Sequence, residues 1–403
     1  MKILALGAGG EMGATAAKIL ANSEIVSEVF VADRDLKSAQ AVATKLGKKA
    51  TPLQIDATDH LALVAAMKSC DLVVNTVGPY FRFGTPILTA AIEASCNYVD
   101  ICDDPEPTLE MLDLSEKAKK AGITALICTG SSPGIANMLA VIAARQLDKV
   151  ESIVTGWNIA AAQPEECERN GVSAAVVHIM AEISGQIPVF RKGKLGKFDA
   201  LEKVKLDYPG LGIFDTYTIG HPEVVTLQRA FPNIQENINV CVGDKITIRV
   251  LAIFQKLINL GILSVDRAAS LIEKLFSLMP SNTSDIFKSG SPPPLFAVVK
   301  GIRAGKASTV ATALAQTPGF TMAAATGVPL AVCALLMLTQ KRDVGVHTLE
   351  TLIDPDEFFS ALAPYCIGDP SPEKMTATTT SWANPDENKK SLHVSLGLSL
   401  LAQ

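Results

Sequence analysis

Charge is scarce in this 403-residue chain: Asp, Glu, Lys and Arg supply 19% of it, and 36 Lys+Arg against 41 Asp+Glu leave a net charge of −5. Without a basic excess there is no electrostatic footprint for a nucleic-acid partner, and none is expected. Eight cysteines lie scattered at 70, 96, 102, 128, 167, 241, 333 and 366, with no CxxC and no Cys/His spacing of a zinc module. Neither a disulfide scaffold nor a metal ligand set is therefore expected. No GxxxxGK[ST], GxSxG or HExxH occurs, which removes P-loop, nucleophile-elbow and zincin chemistry. The opening MKILALGAGG lacks the long apolar region and cleavage site of a signal peptide, so a cytoplasmic protein with reduced thiols is the expectation. What is abundant is apolar surface: 48% of the residues are hydrophobic, enough for two or three well-filled domains.

One run tests the membrane alternative. Gly319–Leu338 is apolar apart from two threonines, but it contains Gly327 and Pro329. A spanning helix needs about 20 apolar residues. A buried helix with Pro329 near its first turn explains the same letters and is the expectation, with loose membrane contact as the alternative.

The first third of the chain alternates short apolar runs with helical spacing. Strands are expected at Lys2–Leu6, Glu28–Ala32, Thr51–Ile55, Asp71–Asn75, Tyr98–Ile101 and Ile123–Cys128. Helices are expected at Gly10–Leu20, Leu36–Leu46, Asp59–Met67, Gly84–Ala94, Thr108–Ala121 and Pro133–Gln146, with Asp59 as an N-cap and Gly122 as a terminating glycine. Strands this short and apolar are covered by helices on both faces. The expected fold class is α/β, a doubly wound parallel Rossmann sheet.

Beyond Val150 the rhythm changes. Ser152–Ile159 reads as a strand, Val172–Ile183 as a helix, and Pro188–Arg191 with Lys194–Phe198 as a hairpin. Val250–Leu278 reads as two helices split near Gly261, and Ser281–Pro294 as a polar loop. This divides the chain into a Rossmann domain over 1–133, an inserted α+β domain over 134–318, a segment packing back on the first domain over 319–366, and a tail over 367–403. The end of that tail, Leu392–Leu401, reads as a strand or as disordered.

Gly7-Ala8-Gly9-Gly10-Glu11-Met12-Gly13 joins the first strand to the first helix. Gly7 would turn the chain tightly, Gly9 or Gly10 would let main-chain N–H groups approach a diphosphate, and Gly13 would let the helix press on the sheet. Met12 occupies the third glycine position of GxGxxG, so the loop fits GxxGxxG through Gly7, Gly10 and Gly13. Asp33, 20 residues beyond Gly13, is placed to accept ribose hydroxyls, with helix capping as the structural alternative. Its charge repels a 2′-phosphate, so NAD is the expected cofactor. Arg34, able to bind that phosphate or stack on adenine, keeps NADP open. Asp56 and Ala57 would reach the adenine, and Asn75-Thr76-Val77-Gly78-Pro79 would shape the nicotinamide end of the crevice.

The stretch NTVGPYFRFGTPILTAAIEASCNYVDICDD resembles the saccharopine dehydrogenase-like family. The resemblance rests on Gly78-Pro79-Tyr80, Gly84-Thr85-Pro86, Tyr98-Val99-Asp100, Pro133-Gly134, Thr326-Gly327-Val328-Pro329 and the segment from Gly345-Val346 to Asp356-Glu357-Phe358-Phe359. It implies a dinucleotide-binding domain, an inserted substrate and dimerisation domain, a C-terminal return and a homodimer. It also implies hydride transfer at a carbon–nitrogen bond of an amino-acid-like small molecule such as saccharopine, lysine or carboxynorspermidine. An enoyl or lipid-like substrate on the same fold is one alternative; a dinucleotide-binding redox sensor without turnover is another.

Hydride transfer leaves the protein to orient the substrate and move a proton. Tyr80 could donate its phenol, Asp103 could bind an amino group or carry the proton, and His221 sits in a loop-like Thr218-Ile219-Gly220-His221-Pro222 stretch. The structural alternatives are a packed ring, a helix cap and an ordinary turn. His178, on an apolar helix, reads as a buried structural histidine, and Cys102 and Cys128 as buried fillers.

Overall fold

A computed structural model describes residues 1–161, 174–277, 291–368 and 371–400. The chain opens with β1 (Lys2–Leu6), α1 (Glu11–Asn22), β2 (Glu28–Asp33), α2 (Leu36–Leu46), β3 (Ala50–Gln54), α3 (His60–Met67), β4 (Leu72–Asn75), α4 (Tyr80–Ala94), β5 (Asn97–Asp100), α5 (Pro105–Asp113), α6 (Ser115–Ala121) and β6 (Thr124–Ile127). There follow α7 (Ile135–Ala144), β7 (Lys149–Asn158), α8 (Ala174–Glu182), β8 (Gln186–Arg191), β9 (Lys194–Asp199), β10 (Lys203–Tyr208), β11 (Gly212–Thr218), α9 (Glu223–Ala230), β12 (Glu236–Val242), α10 (Lys245–Asn259), α11 (Val265–Ser277), β13 (Leu295–Arg303) and β14 (Lys306–Leu314). The last part carries α12 (Met322–Thr339), β15 (Gly345–Thr348), α13 (Leu349–Leu352), α14 (Pro355–Leu362), β16 (Thr376–Thr380) and α15 (Pro385–Leu400). These form two units, Met1–Ile135 with Pro318–Cys366, and Ala136–Thr317 with Ile367–Gln403.

In the first unit the strands lie in the order β15-β6-β5-β4-β1-β2-β3, every pair parallel. Ile3, Leu4, Ala5 and Leu6 are all buried, as a central strand covered on both faces must be. The strand order reverses beside β1, so a crevice opens beyond its carboxyl end. Six strands are legible in the first third of the chain; the seventh, β15, comes from the far end and pairs with β6.

Local chemistry moves several expected boundaries. The helix expected at Gly84 starts at Tyr80, and Gly84 instead leaves room for the Tyr80 ring and the Met111 side chain. The helix expected at Thr108–Ala121 is two, broken at Leu114, and the first begins at Pro105, whose fixed φ suits a first turn. The apolar run folds as α12 from Met322, capped by the Thr321 side chain accepting the Ala324 N–H, so Pro329 lies inside the helix rather than near its start. A Cβ on Gly327 would sit 2.5 Å from the Met12 carbonyl oxygen, which shows how closely α12 crosses α1. By length and composition α12 could cross a membrane, yet 56% of that stretch is buried in the protein. Beyond it, Arg342 grips the Glu357 carboxylate through two nitrogens and ties α12 to α14.

The second unit is built on a mixed sheet with strand path β10-β11-β12-β7-β13-β14-β16, with β8 on β12 and β9 on β8. Gly156 carries no side chain because the Phe296 ring occupies the place, 2.4 Å from where a Cβ would be. The β8–β9 hairpin turns through Lys192 and Gly193, both with positive φ, the two-residue turn whose twist matches antiparallel strands. Helices α10 and α11 part at Gly261, φ +71°. Met180, Ile219, Cys241, Leu251 and Ile272 form a core under α8, α10 and α11. The tail reading is corrected: Thr376–Thr380 is the strand, and Leu392 belongs to helix α15. Leu392 is buried, and the Asn388 amide donates to the Thr380 carbonyl at 2.8 Å, fastening α15 to β16. Val172, Ser173 and most of the expected Ser281–Pro294 loop lie outside the described residues.

Candidate functional site

Beyond β1 the chain turns through Gly7, φ +79°, and the Gly7 and Ala8 N–H groups both donate to the Ala32 carbonyl. A Cβ on Gly7 would lie 2.8 Å from Thr76 Oγ1, one on Gly9 2.7 Å from Asp33 Oδ2, and one on Gly13 2.6 Å from Thr76 Oγ1 and 2.7 Å from the Gly7 carbonyl. Gly10 differs. It is exposed, has φ −83°, and a Cβ there would meet only the Gly7 carbonyl, at 3.4 Å. The fold itself therefore demands Gly7, Gly9 and Gly13, whereas Gly10, the middle glycine of the expected GxxGxxG, is not required by packing. No side chain caps α1, whose first turn holds Glu11, Met12 and Gly13. Its positive end opens beyond β1, suited to an anion.

Asp33, half-buried at the end of β2, accepts the Gly9 N–H on Oδ2 at 3.1 Å and the Asp35 N–H on Oδ1 at 3.0 Å. Capping of α2 falls to Asp35, which accepts from Lys37. Arg34 is exposed beside Asp33. At the end of β3, the Thr58 N–H and hydroxyl hold the Asp56 carboxyl below its usual range, with the charges of Arg34 and Arg82 adding to the effect. Ala57 is half-buried next to it.

The ends of β4 and β5 are joined by a buried polar chain. Asn75 Nδ2 donates to Tyr98 Oη at 2.9 Å, and Tyr98 donates to Asp100 Oδ2 at 2.9 Å. Asp100 Oδ1 accepts the Cys102 and Cys128 N–H groups at 3.0 and 2.9 Å. Burial raises the Asp100 carboxyl to about 6. Tyr80 belongs to the same chain: its hydroxyl donates to the Asn75 carbonyl at 2.9 Å and accepts the Ile101 N–H at 3.3 Å. It is only 4% exposed, and burial drives its phenol well above the ordinary range. The hydroxyl of Tyr80, expected as a proton donor, is thus engaged in holding two strand ends together. Thr76 Oγ1 donates to the Leu6 carbonyl, which leaves half-buried Val77 and exposed Gly78 and Pro79 as the rim. Asp103 and Asp104 are half-buried beyond β5, and the Asp104 side chain does not cap α5. Cys102 and Cys128 are buried, each 3.4 Å from the Thr108 hydroxyl, and burial pushes both thiols up, as for fillers.

His221 lies in the second unit and is not in an ordinary exposed turn. It is 5% exposed; its Nε2 pairs with Glu182 Oε1 and its Nδ1 lies 3.3 Å from Glu223 Oε2. His178 Nε2 lies 2.8 Å from the same Glu182 oxygen. Burial pushes Glu182 up, but the charges of His221 and His178 outweigh it and hold the carboxyl down to about 2. Burial likewise opposes the His221 charge, while Glu182 and Glu223 overcome it and raise the imidazole well above its ordinary value. Sequence reasoning missed Glu182 and Glu223 and read His178 as merely structural. The available signal was His178 and Glu182 at i, i+4 on one helix face.

Residues 3–126 match the family model described as the saccharopine dehydrogenase NADP binding domain. Carboxynorspermidine synthase of Vibrio cholerae is 24% identical over 91% of this chain and 96% of its own. The trans-acting enoyl reductase of Mycobacterium tuberculosis is 31% identical over 32% of each chain. Among solved structures, the L-glutamate-forming saccharopine dehydrogenase of Saccharomyces cerevisiae superposes with a TM-score of 0.60 at 18% identity, over 90% of this chain and 97% of that one. The fold is shared along nearly the whole chain, and the first unit carries a nicotinamide-dinucleotide-binding domain. Through that domain the chain is similar to the saccharopine dehydrogenases.

Proposed function

We propose that the protein is an NADP(H)-dependent oxidoreductase acting at the carbon–nitrogen bond of a small amino-acid- or polyamine-like molecule. The observation that carries the reading is the Gly7–Gly13 turn, whose one sterically unneeded glycine, Gly10, lies at the open N-terminus of α1. The near-full-length likeness to a carboxynorspermidine synthase supports the substrate class. When bound, the nicotinamide supplies or accepts the hydride. The chain's residues would do the rest. Gly10 and the first turn of α1 would hold the diphosphate, Asp33 and Arg34 the adenosine ribose, Asp56 and Ala57 the adenine, and Val77, Gly78 and Pro79 the nicotinamide end. Asp103 is the acid we assign to the substrate amine.

The expected preference for NAD gives way to NADP on this reading. Both Asp33 oxygens already accept a main-chain N–H, which offsets the charge a 2′-phosphate would meet, and exposed Arg34 supplies a cation beside it. Calorimetry should show tighter binding of NADPH than of NADH, and Arg34→Ala should weaken NADPH about tenfold or more while sparing NADH, the loss of one charge-assisted contact. Equal effects on both cofactors, or tighter NADH, would defeat the NADP assignment. With lysine, saccharopine and polyamine-type substrates, an unchanging near-ultraviolet absorbance of the reduced cofactor would defeat the reaction. The likeness to the enoyl reductase spans too little of either chain to argue a substrate.

A further inference from the structure

Away from the dinucleotide turn, the second unit gathers four side chains to which the proposed function assigns no role. His178 and Glu182 stand one turn apart on α8, and His221 lies between β11 and α9. One donor atom from each lies within 4.8 Å of the other two. The side chains of Glu182 and His221 are 4% and 7% exposed, and His178, at 22%, is the most accessible of the three.

We infer that His178 Nε2, His221 Nε2 and the Glu182 carboxylate form a divalent transition-metal site of zinc type, oriented by Glu223. Two imidazoles and one carboxylate are a common zinc donor set, completed by water on the open side. Their present spacing, with both Nε2 atoms against a single carboxylate oxygen, needs only a small outward shift to admit an ion about 2.0–2.1 Å from each nitrogen. Glu223 supplies the second, independent argument. Its side chain is 0% exposed, and its carboxylate lies at Nδ1 of His221, the far side of the ring from the proposed ion. A carboxylate there fixes the tautomer that turns Nε2 towards a metal and strengthens the ligand. The spacing of these residues along the chain hides the set, because α8 brings one histidine and the turn after β11 brings the other.

The test uses the full chain, stripped with a chelator and dialysed, then titrated with zinc and separately with cobalt(II). The expected result is one equivalent of zinc per chain, a higher melting temperature with zinc, and the intense visible bands of four-coordinate cobalt. His178→Gln, at the most accessible of the three ligands, should abolish the stoichiometric binding and the zinc-dependent melting shift. Glu223→Gln should weaken binding about 10–100-fold, as loss of an orienting partner does. No zinc binding, or binding unchanged in folded His178→Gln, overturns the site. So does a cobalt–thiolate charge-transfer band, which would place the metal on cysteine. NADPH binding by the same samples reports on the first unit separately.

Discussion

A Cβ is the smallest perturbation that separates the glycines of the turn. At Gly13 it would collide with the Gly7 carbonyl and the Ala8 Cα, atoms that cannot swing aside. Gly13→Ala should therefore cost about 1–3 kcal/mol of stability through overpacking, read by urea unfolding. Gly10→Ala should leave the unfolding midpoint almost unchanged and weaken dinucleotide binding, because only a ligand competes for that space. Equal destabilisation by both variants would sink the assignment of Gly10 to the diphosphate. At this scale the sequence was partly legible. The glycine cluster, Asp33 and the strand-end segment were all visible in it. Which glycine does what was not, because Thr76 and Asp33, the atoms that crowd Gly7, Gly9 and Gly13, arrive from other strands. The setting of Tyr80 was hidden for a similar reason: its partners, the Asn75 carbonyl and the Ile101 N–H, meet only when β4 and β5 lie side by side.

Among the elements, α12 shows what hydropathy alone conceals. Its letters suit a membrane or a core equally, and Gly327 decides how it packs, since its backbone comes against Met12 and Thr15 of α1. Gly327→Val should lower the melting temperature through a clash that α12 cannot relieve, a loss of about 1–3 kcal/mol. An unchanged melting curve would mean the two helices do not approach so closely. In the first third of the chain strands were legible nearly to the residue, because each is a short apolar run between punctuating residues. Helix starts were harder: Pro79, Pro105 and Thr321 set them, while the eye is drawn to Gly84, Thr108 and Pro329.

Across the molecule, buried acids pull the pH dependence of stability in opposite directions. Glu182 has a folded pKa of about 2 against an ordinary 4.5, so its ion pairs stabilise above about pH 4.5, and that contribution is lost as pH falls towards 2. His221 is raised, so its share is complete below about pH 6.5 and is lost as pH rises through its folded value. Asp100 runs the other way from Glu182. Its folded pKa of about 6 lies above an ordinary 3.8, so ionising it on going from pH 4 to pH 6 costs stability, about 3 kcal/mol at most. Asp100→Asn, which keeps an oxygen for the Cys102 and Cys128 amides, should flatten that decline in urea unfolding across the pH range. A decline of the same depth in the variant would assign it to other groups.

The pairing of β15 with β6 also has a consequence in time. While the ribosome is making the chain, β6 is finished long before Gly345 emerges, so the sheet spends most of synthesis with a bare, largely apolar edge. Open edges of this kind recruit strands from neighbouring chains. A polypeptide released before Gly345 would be an aggregation seed rather than a smaller working domain, and the nascent protein has reason to depend on chaperones until that strand arrives.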